Sequence, residues 1–99
     1  MADRWLDDTR DSYDADADGY AEKVQGLLEA SPYLRANLAL FVDLVRDAGG
    51  GSVADIGCGP GYVTRHLHDA GVDAFGIDLS PEMVALARRD HPHVRFEVG

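Results

Sequence analysis

The segment from Ser52 to Leu67, SVADIGCGPGYVTRHL, constrains the fold more than any other part of the chain. It opens with a short apolar run over Ser52–Ile56, continues with a glycine-rich turn, and then carries Val63 and Leu67 at helical spacing. This order predicts a strand, a tight loop and a helix. Because glycine has no Cβ atom, glycines at such a turn allow positive φ values and let a ligand approach the backbone closely.

The same alternation continues toward the C-terminus. Asp73–Ile77 is a second apolar run, and Ser80 followed by a proline predicts the start of a third helix over Pro81–Asp90. A last strand is predicted over Val94–Val98. Strands that alternate with helices form right-handed βαβ units in a parallel sheet. The sequence therefore predicts an α/β fold of the Rossmann-like, doubly wound type.

Two helices are predicted ahead of the first strand. Tyr13–Leu28 has apolar residues at helical spacing, and a second helix begins at the Ser31-Pro32 pair and stops at the glycines 49–51. We expect residues 1–30 to form an acidic leader and a helix, and residues 31–99 to form the N-terminal part of a single Rossmann-like domain.

The three predicted strands leave one edge of the sheet without a partner strand. In a doubly wound sheet, the first three strands have the order 3-2-1 and a fourth strand covers the free edge of strand 1. Only three strands are predicted here, so strand 1 keeps an exposed edge of unpaired backbone groups. We expect either a larger domain of which this chain is the first half, or self-association through that edge.

The charge of the chain argues against two classes of binding partner, and its cysteine content bears on disulfide formation. The net charge is −9 and the basic residues are scattered, which argues against binding to nucleic acid or to an anionic membrane. The single cysteine, Cys58, cannot form an intramolecular disulfide, and no apolar run reaches the length of a membrane span. The expected location is the cytoplasm, and the expected partner is a small molecule.

The glycine spacing separates two kinds of nucleotide site. A dinucleotide-binding fingerprint requires G-x-G-x-x-G, and its third glycine would fall on Tyr62. The pattern is G-x-G-x-G instead, and Pro60 removes an amide that a pyrophosphate could use. An NAD-dependent oxidoreductase is therefore disfavoured. Asp78 follows Gly57 by 21 residues at the end of the second strand, where a carboxylate can accept hydrogen bonds from both ribose hydroxyls.

Two segments, VADIGCGPGYVTRHL and GIDLSPEMVALAR, resemble the first and second signature segments of class I S-adenosylmethionine-dependent methyltransferases. The resemblance extends over about residues 52–98 and is closest to the small-molecule branch that includes ubiquinone-pathway enzymes. It implies S-adenosyl-L-methionine as cofactor and methyl transfer to an unidentified small acceptor. It also implies that the acceptor-binding and catalytic residues lie beyond the third strand, so this chain alone is expected to bind the cofactor weakly or not at all, and not to catalyse.

The resemblance further implies a set of cofactor-binding residues. The cofactor would lie along the backbones of Gly57, Cys58 and Gly59. Asp55 would lie under its methionine end, and Asp78 would hold the ribose. Leu79 and Met83 would pack on the adenine, although a methionine at helical spacing is also consistent with a plain core position. The segment YDADADGYAE resembles a lid helix of the same branch, with two tyrosines facing the cleft. The full predicted set is Tyr13, Tyr20, Asp55, Gly57, Cys58, Gly59, Gly61, Asp78, Leu79 and Met83.

Three other interpretations remain open at this stage. Asp14, Asp16, Asp18 and Gly19 match half of a calcium-binding loop, but its twelfth position is Gln25, which lacks the bidentate carboxylate. The alternative function is therefore a noncatalytic acidic module, calcium-responsive or scaffolding. Cys58 as a nucleophile is disfavoured because no partner is placed by sequence. The histidines show no metal-ligand spacing and are expected at the surface; they are His66, His68, His91 and His93.

Overall fold

The computed structural model describes residues 17–99, so the acidic leader, including Tyr13, lies outside the described residues. No helix within this range is both long and apolar enough to cross a bilayer. The helices and strands follow in the predicted order. In chain order they are α1 (Ala17–Ala30), α2 (Pro32–Asp47), β1 (Ser52–Ile56), α3 (Tyr62–Asp69), β2 (Asp73–Asp78), α4 (Pro81–Asp90) and β3 (Phe96–Val98).

The three strands form one parallel sheet in the order β1-β2-β3. Val53 of β1 is in register with Ala74 of β2, and Gly76 of β2 is in register with Phe96 of β3. The predicted parallel α/β sheet is therefore confirmed. Since β2 is the middle strand, the residue at its C-terminal end, Asp78, lies between the ends of its two neighbours.

Two apolar clusters hold the helices against the sheet. One joins Val84 and Ala87 of α4 to Phe96 of β3. The other joins Val42 of α2 and Leu67 of α3 to residues of β2 and the turn before it. Burial of such side chains stabilises the fold by about 1.5 to 3 kcal/mol each. These contacts fix α3 and α4, whose N-terminal ends border the glycine turn and the end of β2.

The predicted helix starts are confirmed. Ser31 Oγ accepts a hydrogen bond from the Leu34 amide at 3.1 Å, and Ser80 Oγ accepts one from the Met83 amide at the same distance. In both helices a proline occupies the first turn, where its missing amide proton costs no hydrogen bond.

Two element boundaries differ from the prediction by two residues, and β2 extends one residue beyond its predicted end, to Asp78. β3 begins at Phe96 rather than Val94, because the Val94 amide donates a turn hydrogen bond to the His91 carbonyl at 3.1 Å. The side chain of Val94 is nevertheless buried in the core, which explains its apolar character. At the other end of the chain, α1 runs to Ala30, two residues beyond the predicted end, and Ser31 then starts α2.

The calcium-loop interpretation is wrong for the described residues. α1 is continuous from Ala17, so Asp18, Gly19 and Gln25 lie on a helix and not in a loop that could wrap around an ion. The Gln25 side chain donates to Glu29 Oε1 at 3.3 Å, and Asp18 Oδ1 lies 3.8 Å from a guanidinium nitrogen of Arg89. The calcium-responsive alternative therefore loses its geometric basis. Asp14 and Asp16 lie outside the described residues.

Candidate cofactor-binding site

An open cleft lies at the C-terminal end of the sheet, where β1 and β2 turn into the helices that follow them. The empty space within it, including the part that is open to solvent, is about 580 Å³. In open α/β sheets this end is where ligands bind. The residues that line the cleft are Tyr20, Ile56, Gly57, Gly59, Asp78, Leu79, Met83 and Gly99.

The carboxylate of Asp78 is the charged group of this cleft, and the backbone around it fixes its orientation. Asp78 is only 8% exposed. Oδ2 accepts a hydrogen bond from the Gly59 amide at 2.7 Å, and Oδ1 accepts one from the Ser80 amide at 3.0 Å. A carboxylate has about four acceptor positions, so each oxygen can still accept a bond from a ligand. The residue thus joins the glycine turn to the start of α4 and keeps acceptors for a donor in the cleft.

The glycine turn is held by β2. The amides of Gly57 and Cys58 both donate to the Ile77 carbonyl, at 2.8 and 3.1 Å. Gly57 has a φ of 74°, and a Cβ atom there would meet no atom within 4 Å, so this side of the turn faces the open cleft. A Cβ atom on Gly59 would lie 3.3 Å from the Tyr20 ring, which places that ring beside the turn.

Gly61, Cys58 and Asp55 were predicted for the cofactor site but do not line the cleft. A Cβ atom on Gly61 would come within 2.5 Å of the Phe96 ring, so this glycine is needed for core packing. Cys58 is buried in the core cluster, and burial, together with the negative charges of Asp78 and Asp55, raises the pKa of its thiol to about 12. A thiol in that state is a poor nucleophile. Asp55 Oδ2 instead accepts a hydrogen bond from Thr64 Oγ1 at 2.7 Å, which joins β1 to α3.

Six of the predicted residues, one of which is Tyr20 on α1, are brought together by the fold. Leu79 and Met83 lie on the wall formed by the start of α4, and Met83 is only 1% exposed, so most of its side chain is core and one part reaches the cleft. The other three are Gly57, Gly59 and Asp78.

Two lining residues were missed by sequence reasoning. Ile56 was predicted as a strand residue but not as part of the site; it is 72% exposed because its side chain is on the sheet face away from α3 and α4. Strand alternation was the signal that could have placed it there. Gly99 is the other, and its amide donates to the Asp78 carbonyl at 2.9 Å.

Comparison with known proteins gives the family. Residues 53–99 match the family model described as a methyltransferase domain. A malonyl-[acyl-carrier protein] O-methyltransferase of Pectobacterium atrosepticum is 43% identical over 47 residues, which cover 48% of this chain and 19% of that protein. A ubiquinone biosynthesis O-methyltransferase of Methylococcus capsulatus is 40% identical over 47 residues, which cover 48% of this chain and 20% of that protein.

A solved structure extends the similarity beyond the matched sequence. The TehB-like SAM-dependent methyltransferase from Corynebacterium glutamicum superimposes with a TM-score of 0.61 and 32% identity, covering 86% of this chain and 45% of that one. This chain thus spans about a fifth of the two curated relatives and less than half of the solved structure. The predicted resemblance to class I S-adenosylmethionine-dependent methyltransferases and the Rossmann-like fold class are confirmed: residues 53–99 match the methyltransferase domain family.

Proposed function

We propose that this chain is the cofactor-binding part of an enzyme that transfers the methyl group of S-adenosyl-L-methionine to a small-molecule acceptor. The observation that carries the proposal is the carboxylate of Asp78, which is nearly buried at the end of the central strand and joined to the glycine turn. The family of residues 53–99 supports the same cofactor. Residues 1–30 are proposed as leader and lid, and residues 31–99 as the first part of the Rossmann-like domain.

The nucleoside end of the cofactor would occupy the α4 side of the cleft. Each ribose hydroxyl can donate a hydrogen bond to Asp78, and a bond to a charged group contributes about 1.5 to 3 kcal/mol. Leu79 and Met83 offer the apolar surface on which the adenine would pack, and Ile56 adds an exposed apolar side chain opposite them. This arrangement combines an apolar cavity with a single oriented polar group, as small-molecule sites commonly do.

The methionine end would pass along the glycine turn. Gly57 leaves the backbone exposed to the cleft, and Gly59 lines the cleft beside the Tyr20 ring. Asp55 remains proposed beneath this end, and Cys58 is proposed to contribute through its backbone. Tyr20, beside Gly59, would cover the cofactor as part of the lid, and Tyr13 is proposed to do the same.

Methyl transfer from this cofactor requires little activation by the protein. The sulfonium of the cofactor already carries a reactive methyl group, so the enzyme mainly aligns donor and acceptor and excludes water. We assign no catalytic residue within this chain. The two curated relatives named above are, by their names, a malonyl-[acyl-carrier protein] O-methyltransferase and a ubiquinone biosynthesis O-methyltransferase, which supports a small-molecule acceptor. A cytoplasmic location and self-association through β1 remain proposals.

Calorimetric titration with S-adenosylhomocysteine tests the proposal. The Asp78→Asn variant removes the charge but keeps the size of the side chain, so we expect the affinity to fall by about 10-fold to 100-fold through loss of charged hydrogen bonds. Asp73→Asn is the matched control, because Asp73 is at the other end of β2 and bonds to Ser52 Oγ at 2.7 Å, outside the cleft.

The proposal predicts that the control binds as the unaltered chain does. Thermal unfolding of all three proteins shows whether each is folded under the titration conditions. Equal affinity of the Asp78→Asn variant and the unaltered chain would contradict the role of this carboxylate. Absence of any heat at millimolar ligand, with a folded chain, would contradict cofactor binding itself.

A further inference from the structure

Three side chains with metal-binding atoms meet at the opposite end of the sheet from the cofactor cleft. His68 and Asp69 are at the C-terminal end of α3, and His93 is in the connection from α4 to β3. One ligand atom from each of the three lies within 4.8 Å of the other two. His68 and His93 are 25 positions apart in the sequence, so their spacing alone gave no sign of this cluster.

The distances around the Asp69 carboxylate are compatible with ligands that share one metal ion. Oδ1 of Asp69 lies 3.3 Å from His93 Nε2 and 3.6 Å from His68 Nδ1. With metal–ligand bonds of about 2.0 to 2.2 Å, tetrahedral ligand atoms stand about 3.3 to 3.6 Å apart. The two imidazole rings meet edge to face, with centroids 5.2 Å apart and planes at 70°, so both can direct a nitrogen toward one point.

Two of the candidate ligand atoms, Asp69 Oδ1 and His93 Nε2, are hydrogen-bonded to each other at 3.3 Å, and a metal ion between them would replace that bond. His68 Nδ1 is a buried atom with no hydrogen-bond partner in the described structure. Arg65 Nε binds Oδ2 of Asp69 at 3.2 Å, which orients the carboxylate and leaves Oδ1 on the histidine side.

Space for a further ligand is next to the histidines. A hollow of about 640 Å³ is lined by both His68 and His93, and by the polar side chains of Ser52 and Asp73. Arg95 also borders it, but its guanidinium lies over the Phe75 ring at 4.0 Å and within 4.0 Å of a Glu97 oxygen. A water molecule can therefore complete a four-coordinate site.

We propose that His68 Nδ1, Asp69 Oδ1 and His93 Nε2 bind one zinc ion, with water as the fourth ligand. Two imidazole nitrogens and one carboxylate oxygen match the ligand preference of Zn²⁺, whereas Mg²⁺ and Ca²⁺ prefer oxygen ligands alone. The ion joins the end of α3 to the segment that leads into β3. Because the ligands come together only in the folded chain, zinc binding stabilises the fold.

The test is titration of the untagged chain with zinc chloride, followed by calorimetry and by thermal unfolding. We expect one zinc ion per chain and a Tm that rises with zinc concentration, with no rise in magnesium chloride. His93→Ala and Asp69→Asn should lose at least 10-fold in zinc affinity. His66→Ala is the matched control, since His66 is on the same helix but outside the cluster, and it should bind zinc as the unaltered chain does.

A second measurement does not depend on the stability of any variant. In nitrogen NMR spectra of the unaltered chain, zinc should shift the Nδ1 resonance of His68 and the Nε2 resonance of His93, and leave those of His66 in place. The proposal is overturned if the unaltered chain binds no zinc, if His93→Ala binds it equally well, or if zinc shifts other histidines instead of these two.

Discussion

Gly57 and Gly61 belong to one turn but lack side chains for different physical reasons. Both have positive φ values, 74° and 84°, which a residue with a Cβ atom adopts only at a cost. Around Gly57 there is open space, whereas a Cβ atom on Gly61 would come within 2.5 Å of Phe96 and 3.1 Å of Ala87. The first position keeps the cleft accessible, and the second lets α4 and β3 pack against the turn.

This difference predicts unequal losses for two matched substitutions. Gly57→Ala should lower the free energy of unfolding by about 1 to 2 kcal/mol, the cost of the backbone conformation alone. Gly61→Ala should lower it by a further 1 to 3 kcal/mol, because the added methyl group overpacks the core against Phe96. Urea unfolding of both variants gives the two values.

A double-mutant cycle identifies the cause. If the Phe96 ring is responsible, Phe96→Leu should restore part of the stability that Gly61→Ala loses, but none of that lost by Gly57→Ala. Similar losses for the two glycine variants, or no coupling between positions 61 and 96, would show that the packing argument is wrong.

At the scale of residues, the sequence predicted those site residues whose positions follow from their spacing along the chain. Gly57, Gly59 and Asp78 were found because the ends of consecutive strands meet at one edge of a parallel sheet. The packing role of Gly61 could not be found, because it depends on Phe96, 35 positions away. The clustering of His68 with His93 depends in the same way on the tertiary fold.

At the scale of elements, the two serine-capped helices differ in what their first turns border. Ser80 starts α4, and its amide also donates to the Asp78 carboxylate at the cleft. Ser31 starts α2 and does not line the cleft, and its hydroxyl accepts a hydrogen bond from the Leu34 amide. Loss of either cap should weaken its helix, but of these two helices only α4 supports the cofactor site.

We expect Ser31→Ala and Ser80→Ala each to lower the free energy of unfolding by about 1 kcal/mol, the usual contribution of an N-cap hydroxyl. Only Ser80→Ala should also weaken binding of S-adenosylhomocysteine, because a frayed first turn releases the amide that orients Asp78. Thermal unfolding and calorimetry on both variants separate the two effects. Equal ligand affinity in the two variants would contradict the link between the α4 cap and the site.

The helices and strands were predicted closely because local signals mark them. The serine–proline pairs fix the starts of α2 and α4, and the glycines after Asp47 end α2. β3 was placed two residues too early because Val94 has the apolar character of a strand residue, although it packs from a turn. An apolar residue in the sequence can indicate either a paired strand position or a buried turn position, so only the fold distinguishes the two.

For the molecule as a whole, the described sheet is covered unevenly. The side of β2 that carries Ala74 and Gly76 packs against the core clusters, while Ala54 and Ile56 of β1 are exposed. Within residues 17–99, β1 pairs only with β2, so its other edge has unpaired amides and carbonyls. Such an edge, with apolar side chains beside it, is a template for pairing with another strand.

We therefore expect this chain to self-associate through β1 as its concentration increases. Ala54→Lys should reduce the association, because a charged side chain on an edge strand opposes pairing with a second strand, and should leave the Tm nearly unchanged since the position is exposed. Ala85→Lys on the exposed side of α4 is the matched control and should associate as the unaltered chain does. Sedimentation velocity over a range of concentrations measures the effect. A single monomeric species throughout, or equal association of both variants, would show that the β1 edge does not pair.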